Sequence, residues 1–232
     1  MSNPNESFSE YIKQQHINKG QEHTHTRIGD KISKISGGSY NIEDEKIFLD
    51  KYFQHVFING NKEYLTEKQR IEDAPLVVDI DMRYSCDITE RQHTKEHIID
   101  LVDMYARNLS KICDIQHDHK LEVFVMEKPT VNILEDKTKD GIHIIFGISM
   151  HKAVQVLLRE KILPELKEIW EDLPLVNDVD DLLDEGVTRG IVNWQLYGSR
   201  KPNHSAYLIK YNFDLSWNND KDIWEMAEIN ID

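Results

Sequence analysis

Cysteine is almost missing from this chain: Cys86 and Cys113 are all it has. Two thiols alone cannot fill a four-ligand zinc site, and they cannot make the disulfide framework of a small secreted domain. Both read as reduced thiols of an intracellular protein. Long apolar runs are missing too. None approaches the ~20 residues that cross a bilayer. The stretch Met1–Glu6 has neither the basic nor the apolar part of a secretory signal, so no membrane association is expected. Basic charge is in short supply: 28 Lys and Arg against 42 Asp and Glu leave a net charge of −14. That balance argues against a protein that coats a polyanion with its whole surface. It leaves room for a local basic groove beside carboxylates kept for other work. No repeat and no low-complexity tract is visible.

The 232 residues are 39% hydrophobic, enough for the core of one large domain with a smaller accessory part. Residues 1–36 are polar and mixed and read as a flexible or accessory segment, ended by the break at Gly37-Gly38-Ser39. Positions 47, 48, 52, 53 and 56 then give one helical face over 42–57. Pro75-Leu76-Val77-Val78-Asp79-Ile80-Asp81-Met82 reads as a strand with Pro at its edge. Residues 92–113 read as a helix, 121–126 as a strand, Asp136 to Asp140 as a polar loop, 142–147 as a strand and 151–170 as a helix. Shorter strands are expected around 193–197 and 206–211. The order is β-α-β-β-α-β plus extra strands. It predicts an α+β fold, a palm like the RNA-recognition motif with helices on one face, preceded by a mixed helical subdomain. The main domain spans 37–213 with its palm core at about 75–213, and 214–232 reads as an extension or linker.

Asp79 and Asp81 are two apart on a strand, so they project from one face about 6.5–7 Å apart while Val78, Ile80 and Met82 take the other. Two neighbouring like charges on a buried strand are costly unless a cation lies between them. Such carboxylates hold the paired divalent ions used in phosphoryl transfer. An exposed strand edge would account for the pair equally well, but the apolar run before it argues for a central, buried strand. His143 follows Lys139-Asp140-Gly141-Ile142. A lone His in an apolar strand is commonly a satisfied core residue. Here Gly141 lets backbone approach a phosphate, and Lys139 and His143 can donate to its oxygens. Asp184 lies in an acid-rich stretch that reads equally as a solvated loop. Downstream, Asn193-Trp194-Gln195-Leu196-Tyr197-Gly198-Ser199-Arg200-Lys201-Pro202 is a strand running into a cationic Gly-Ser turn. That suits phosphate contact, or an ordinary basic turn.

Taken in order, Leu76-Val77-Val78-Asp79-Ile80-Asp81, Gly141-Ile142-His143 and Leu183-Asp184 resemble the three motifs of the archaeo-eukaryotic primase superfamily. The stretch from Asp184-Glu185-Gly186-Val187 through Asn193–Tyr197 to Ser199 and Lys201 follows the register of eukaryotic primase-polymerases. Pro75–Tyr84, with Gly37–Tyr40 and Asp140–His143, is similar to the N-terminal primase part of primase–helicases from nucleocytoplasmic large DNA viruses. The resemblance covers roughly residues 37–213. It implies template-directed nucleotidyl transfer, a DNA primase or primase-polymerase working on single-stranded DNA. Asp79, Asp81 and Asp184 would be the catalytic ligands of two Mg²⁺ or Mn²⁺ ions. Lys139, Gly141, His143, Ser199 and Lys201 would bind the nucleoside triphosphate, and Arg83, Trp194, Gln195 and Arg200 the nucleic acid. A helicase part is expected after Asp232, because the chain has no P-loop of its own. The place of action would be the host cytoplasm or a viral replication site.

There are departures from the pattern. Gly141 stands where many members have Ser, and Val192 and Gln195 where relatives carry Arg. No zinc module is visible and no zinc is expected. Two other readings compete. One is a non-catalytic module that binds single-stranded nucleic acid, kept alive by Gly141, Gln195 and the acidic balance. The other is a rolling-circle-type nuclease, for which His117-Asp118-His119 is a poor match, since Asp118 breaks the required His-hydrophobic-His.

Overall fold

The computed structural model describes residues 6–115 and 119–231. His117 and Asp118 therefore lie outside the described residues. In chain order the elements are α1 (Phe8–Gln14), β1 (His16–Ile17), β2 (His25–Arg27), β3 (Gly38–Tyr40), α2 (Glu45–Phe53), a π-helical turn (Gln54–Ile58), β4 (Leu65–Glu67), β5 (Ala74–Tyr84), α3 (Lys95–Ile112), β6 (Lys120–Glu127), β7 (Asn132–Ile133), β8 (Thr138–Met150), α4 (Lys152–Ile169), α5 (Glu185–Arg189), β9 (Trp194–Gln195), β10 (Leu208–Asn218) and β11 (Ile223–Ile229). The fold is α+β, with two antiparallel sheets. The chain divides into two compact units, the first built from 1–69 and 192–207, the second from 70–191 and 208–232.

The first unit carries a five-stranded sheet in the order β1-β3-β2-β4-β9. Its core is aromatic, with Phe8, Tyr11, Tyr40, Phe48 and Tyr52 around Ile12 and Leu65. The first helix begins on a reciprocal cap in which the Ser7 side chain accepts from Glu10 N–H and the Glu10 carboxylate accepts from Ser7 N–H. Residues 8–27 thus contribute a capped helix and two strands.

The second unit carries the larger sheet, in the order β11-β10-β6-β8-β5, with β7 beside β8. Alternation along β5 sends Val78, Ile80, Met82 and Tyr84 into the core and leaves Asp79, Asp81 and Arg83 half-buried on the other face. Ile98, Leu101, Val102 and Tyr105 of α3 and Leu158, Ile162 and Leu166 of α4 complete that core. The closing strand β10 pairs with β6, so it does not cover β5.

Three expectations change. Strand β8 starts at Thr138, so Lys139 and Asp140 stand in the sheet and not in a loop. Strand β10 runs on to Asn218 and turns back as β11, with Trp217 opposite Trp224 and their ring centroids 5.3 Å apart. The residues read as a linker are therefore largely a cross-strand-stabilised hairpin. Finally, residues 192–207 group with the first unit and not with the larger sheet.

Candidate active site

The free edge of β5 decides where the acidic residues meet. An edge strand presents unpaired N–H and C=O groups that must find partners. Here the segment 176–184 supplies them. Asp184 N–H donates to Asp79 O (3.0 Å), Asp81 N–H to Leu182 O (2.9 Å) and Val176 N–H to Arg83 O (2.8 Å). Asn177 fills the remaining positions with its side chain, accepting from Arg83 N–H (2.9 Å) and donating through Nδ2 to Asp81 O (3.0 Å). Ile80 and Leu183 form an antiparallel bridge. That register sets Asp184 opposite Asp79, on the face that Asp79 and Asp81 share.

Asp184 is also the cap of α5. Its Oδ1 accepts from Val187 N–H at 2.8 Å, and its carbonyl accepts from the Thr188 hydroxyl. From the core side, buried Lys152 donates to Val187 O (3.2 Å) and to Gln155 Oε1 (2.9 Å). Burial pulls its ammonium down to about 8. Arg159 of α4 donates to Leu183 O (3.0 Å) and Asp180 O (2.6 Å). Asp81 and Asp184 line one cleft of about 720 Å³, with Arg83, Arg159, Asp180, Asp181 and Glu185 around it.

The second row of the site is on β8. Its register with β5 places His143 opposite Asp79, Gly141 opposite Asp81 and Lys139 opposite Arg83. His143 is 5% exposed, but it faces the Asp79 side and not the helix-packed core. Its Nε2 lies 3.4 Å from Asp79 Oδ1. Arg83 pairs with Asp181 at 3.4 Å. Among the described residues no group of three or more His, Cys, Asp and Glu side chains is gathered into a ready metal cage. Asp81 and Asp184 share the cleft, while Asp79 is not part of its lining.

Beneath β8 lies a buried charge network whose residues no motif marks. Arg91 grips both oxygens of Asp140 (2.9 and 3.0 Å), donates to Lys128 O (2.9 Å) and pairs with Glu127. His93 Nε2 lies 2.9 Å from Glu127 Oε1, and its Nδ1 approaches Asp140 Oδ2 at 3.3 Å, an ion-pair distance outside hydrogen-bond geometry. Burial opposes charge on His93, but Asp140 and Glu127 outweigh it and raise its pKa. Burial likewise opposes charge on Asp140, and His93 and Arg91 pull it down to about 2. The network ties β6 to the start of β8, where Lys139, Gly141 and His143 sit.

The remaining candidates belong to the first unit. Ser199 has no exposed surface, and its hydroxyl is used inside the fold, accepting from Leu65 N–H (3.1 Å) and bonded to Tyr52 Oη (2.9 Å). Trp194 is 5% exposed, so its ring has little face to offer a base. Gln195 donates to Ser199 O (2.6 Å). Ser199 and Gln195 thus hold the turn together. Arg200 is half-buried, and Lys201 is exposed.

The candidate site is thus an α+β sheet carrying two acidic residues on one strand, a third docked against that strand's backbone and a His on the neighbouring strand. Residues 29–213 match the family described as the C962R protein N-terminal AEP domain, and the chain belongs to this archaeo-eukaryotic primase family. It is also 27% identical over 201 residues to a protein of Acanthamoeba polyphaga mimivirus named putative helicase L207/L206, a match covering 84% of this chain and 20% of that protein.

Proposed function

We propose that this domain performs template-directed nucleotidyl transfer, making primers or extending DNA on a single strand. The observation that supports this reading is the backbone docking of Asp184 against β5, in register with Asp79. Asp81 and Asp184, which line one cleft without forming a closed cage, suit Mg²⁺ or Mn²⁺. Such ions keep several waters and complete their shells with substrate phosphate. When bound, a pair of them would polarise the attacking 3′-oxygen and neutralise the triphosphate. The chain's own part is to hold Asp79, Asp81 and Asp184 in register. Lys139 and His143, on the strand alongside, would donate to phosphate oxygens. The mimivirus relative is named a putative helicase and the chain spans a fifth of its length. We therefore place this domain ahead of a helicase part in a viral replication protein.

Primer synthesis on a single-stranded template, with nucleotides and Mg²⁺ or Mn²⁺, tests the reading. The Asp79→Ala/Asp81→Ala double variant is expected to lose at least ~10²–10³-fold of the product. Its melting temperature should hold, since the change relieves like-charge repulsion. Equal product from both proteins would remove these residues from the mechanism. Strand binding indifferent to metal and nucleotide, with no product, would favour a non-catalytic module.

A further inference from the structure

The first unit exposes a column of aromatic rings. Phe57 and Tyr197 stack with centroids 5.4 Å apart and planes 19° from parallel, and Phe53 continues the column at 5.7 Å and 30°. Phe53 is 50% exposed, Phe57 39% and Tyr197 37%, with exposed Leu49 and Ile58 beside them. Rings left in water at this density mark a binding surface more often than chance packing. Phe57 rides on the π-helical turn, a geometry poorer than the α-helix and recurrent at functional sites.

The column is rigidly built. Tyr52 Oη donates to Tyr197 O at 2.7 Å, and the Ser199 and Gln195 bonds pin the residues after it. Gly198 has φ +82°, and a Cβ there would lie 2.6 Å from Phe57 Cζ. Only glycine lets the turn press against the ring so that Tyr197 can stack on it.

The surroundings choose the occupant. Arg200 and exposed Lys201 leave the same turn, and exposed Lys46 shares the helical face of Leu49 and Phe53. An apolar protein partner would not need these cations. A duplex would offer phosphates but no open base faces. Aromatic faces next to cations match the recognition of single strands, in which bases stack and phosphates pair.

We propose that Phe53, Phe57 and Tyr197 form a stacking platform for unpaired bases of a single nucleic-acid strand, whose phosphates meet Arg200 and Lys201. This deepens the proposed reading by naming where a template would rest, and it can fail separately.

Fluorescence anisotropy with a labelled oligo-dT of about 15 nucleotides, without nucleotide or divalent metal, is the test. Tyr197→Ala should weaken binding about 5- to 100-fold with melting temperature unchanged, and Phe57→Ala should weaken it similarly with some loss of melting temperature. Tyr197→Trp should bind like the parent, and its added fluorescence should be quenched by the single strand and not by a duplex of equal length. Lys201→Gln should lower the salt slope by about 1. Because Phe57 also touches Tyr52, Tyr197 is the decisive position. Affinity of Tyr197→Ala within twofold of the parent would overturn the platform and leave the column to an apolar partner. So would equal quenching by duplex. Neither result touches the Asp79/Asp81 assay, which uses primer synthesis as its readout.

Discussion

The two units differ sharply in charge. The first has 11 Lys and Arg against 10 Asp and Glu, a net of +1, while the second has 17 against 32, a net of −15. The whole acidic excess of the chain therefore sits in the unit with Asp79, Asp81 and Asp184. The near-neutral unit carries the exposed rings with Lys201. A polyanion approaching the second unit meets repulsion except where cations gather, whereas the first unit opposes it little. A net charge quoted for the whole chain hides this division. The value of −14 argues against nucleic-acid binding only if charge is spread evenly, and here it is not.

The charge network of Arg91, His93, Glu127 and Asp140 belongs to the second unit alone. Arg91→Ala leaves Asp140 and Glu127 buried with only His93 between them. Removing one member of a buried ionic cluster strands the others, and a loss of about 3 kcal/mol is expected. Hydrogen exchange should show β6 and β8 amides losing protection while β2 and β4 amides keep theirs. Equal loss in both units would mean that they unfold as one, and the comparison would then hold for charge but not for stability.

Next in size is the clasp on β5. Asn177→Ala orphans Arg83 N–H and Asp81 O, at a cost of about 1–3 kcal/mol. The effect on activity should be specific. The metal concentration for half-maximal synthesis should rise several-fold, because Asp184 loses its register with Asp79. Oligo-dT binding through the first unit should stay at the parent value. Arg159→Lys should act in the same direction and more weakly, since Lys can hold only one of the two carbonyls. A change in strand binding that matches the change in metal dependence would erase the distinction between the units.

The sequence made the strand of Asp79 and Asp81 legible because alternation is a property of residue types. The helices 95–112 and 152–169 were legible for the same reason, through their apolar periodicity. Asp184 was visible only through its motif. Nothing in an acid-rich stretch distinguishes a solvated loop from a segment that fills a strand edge with backbone bonds. Asn177 and Arg159 left no trace, since both act on main-chain atoms, which every residue type supplies. The burial of Ser199 is invisible in sequence, because the bonds that bury it come from Tyr52 and Leu65, more than 130 positions away. Tyr197, two residues earlier, carries the exposed ring that Trp194 does not.

The finest test concerns proton linkage in the second unit. His93 has a folded pKa raised above 6.5, so the stability it adds is complete below about 6.5 and is lost as pH rises through the folded value. Asp140 runs the other way. With its folded pKa at about 2 and its ordinary value at 3.8, its contribution is complete above about 4 and is lost as pH falls toward 2. The network should therefore hold β6 to β8 best between about pH 4 and 6.5. Above that window, protection of β8 amides should decline by about 1–2 kcal/mol, the worth of a hydrogen bond to a charged group. His93→Gln should flatten the alkaline limb and leave the acid limb in place, because Arg91 still grips Asp140. In the first unit the Arg27–Glu63 pair is buried too, with His55 beside it, but burial lowers the His55 pKa, so that residue adds no loss of stability as pH rises and the amides of this unit should show no matching decline above about pH 6.5. A parallel decline in β2 and β4 would place the titrating group outside the Arg91, His93, Glu127 and Asp140 set.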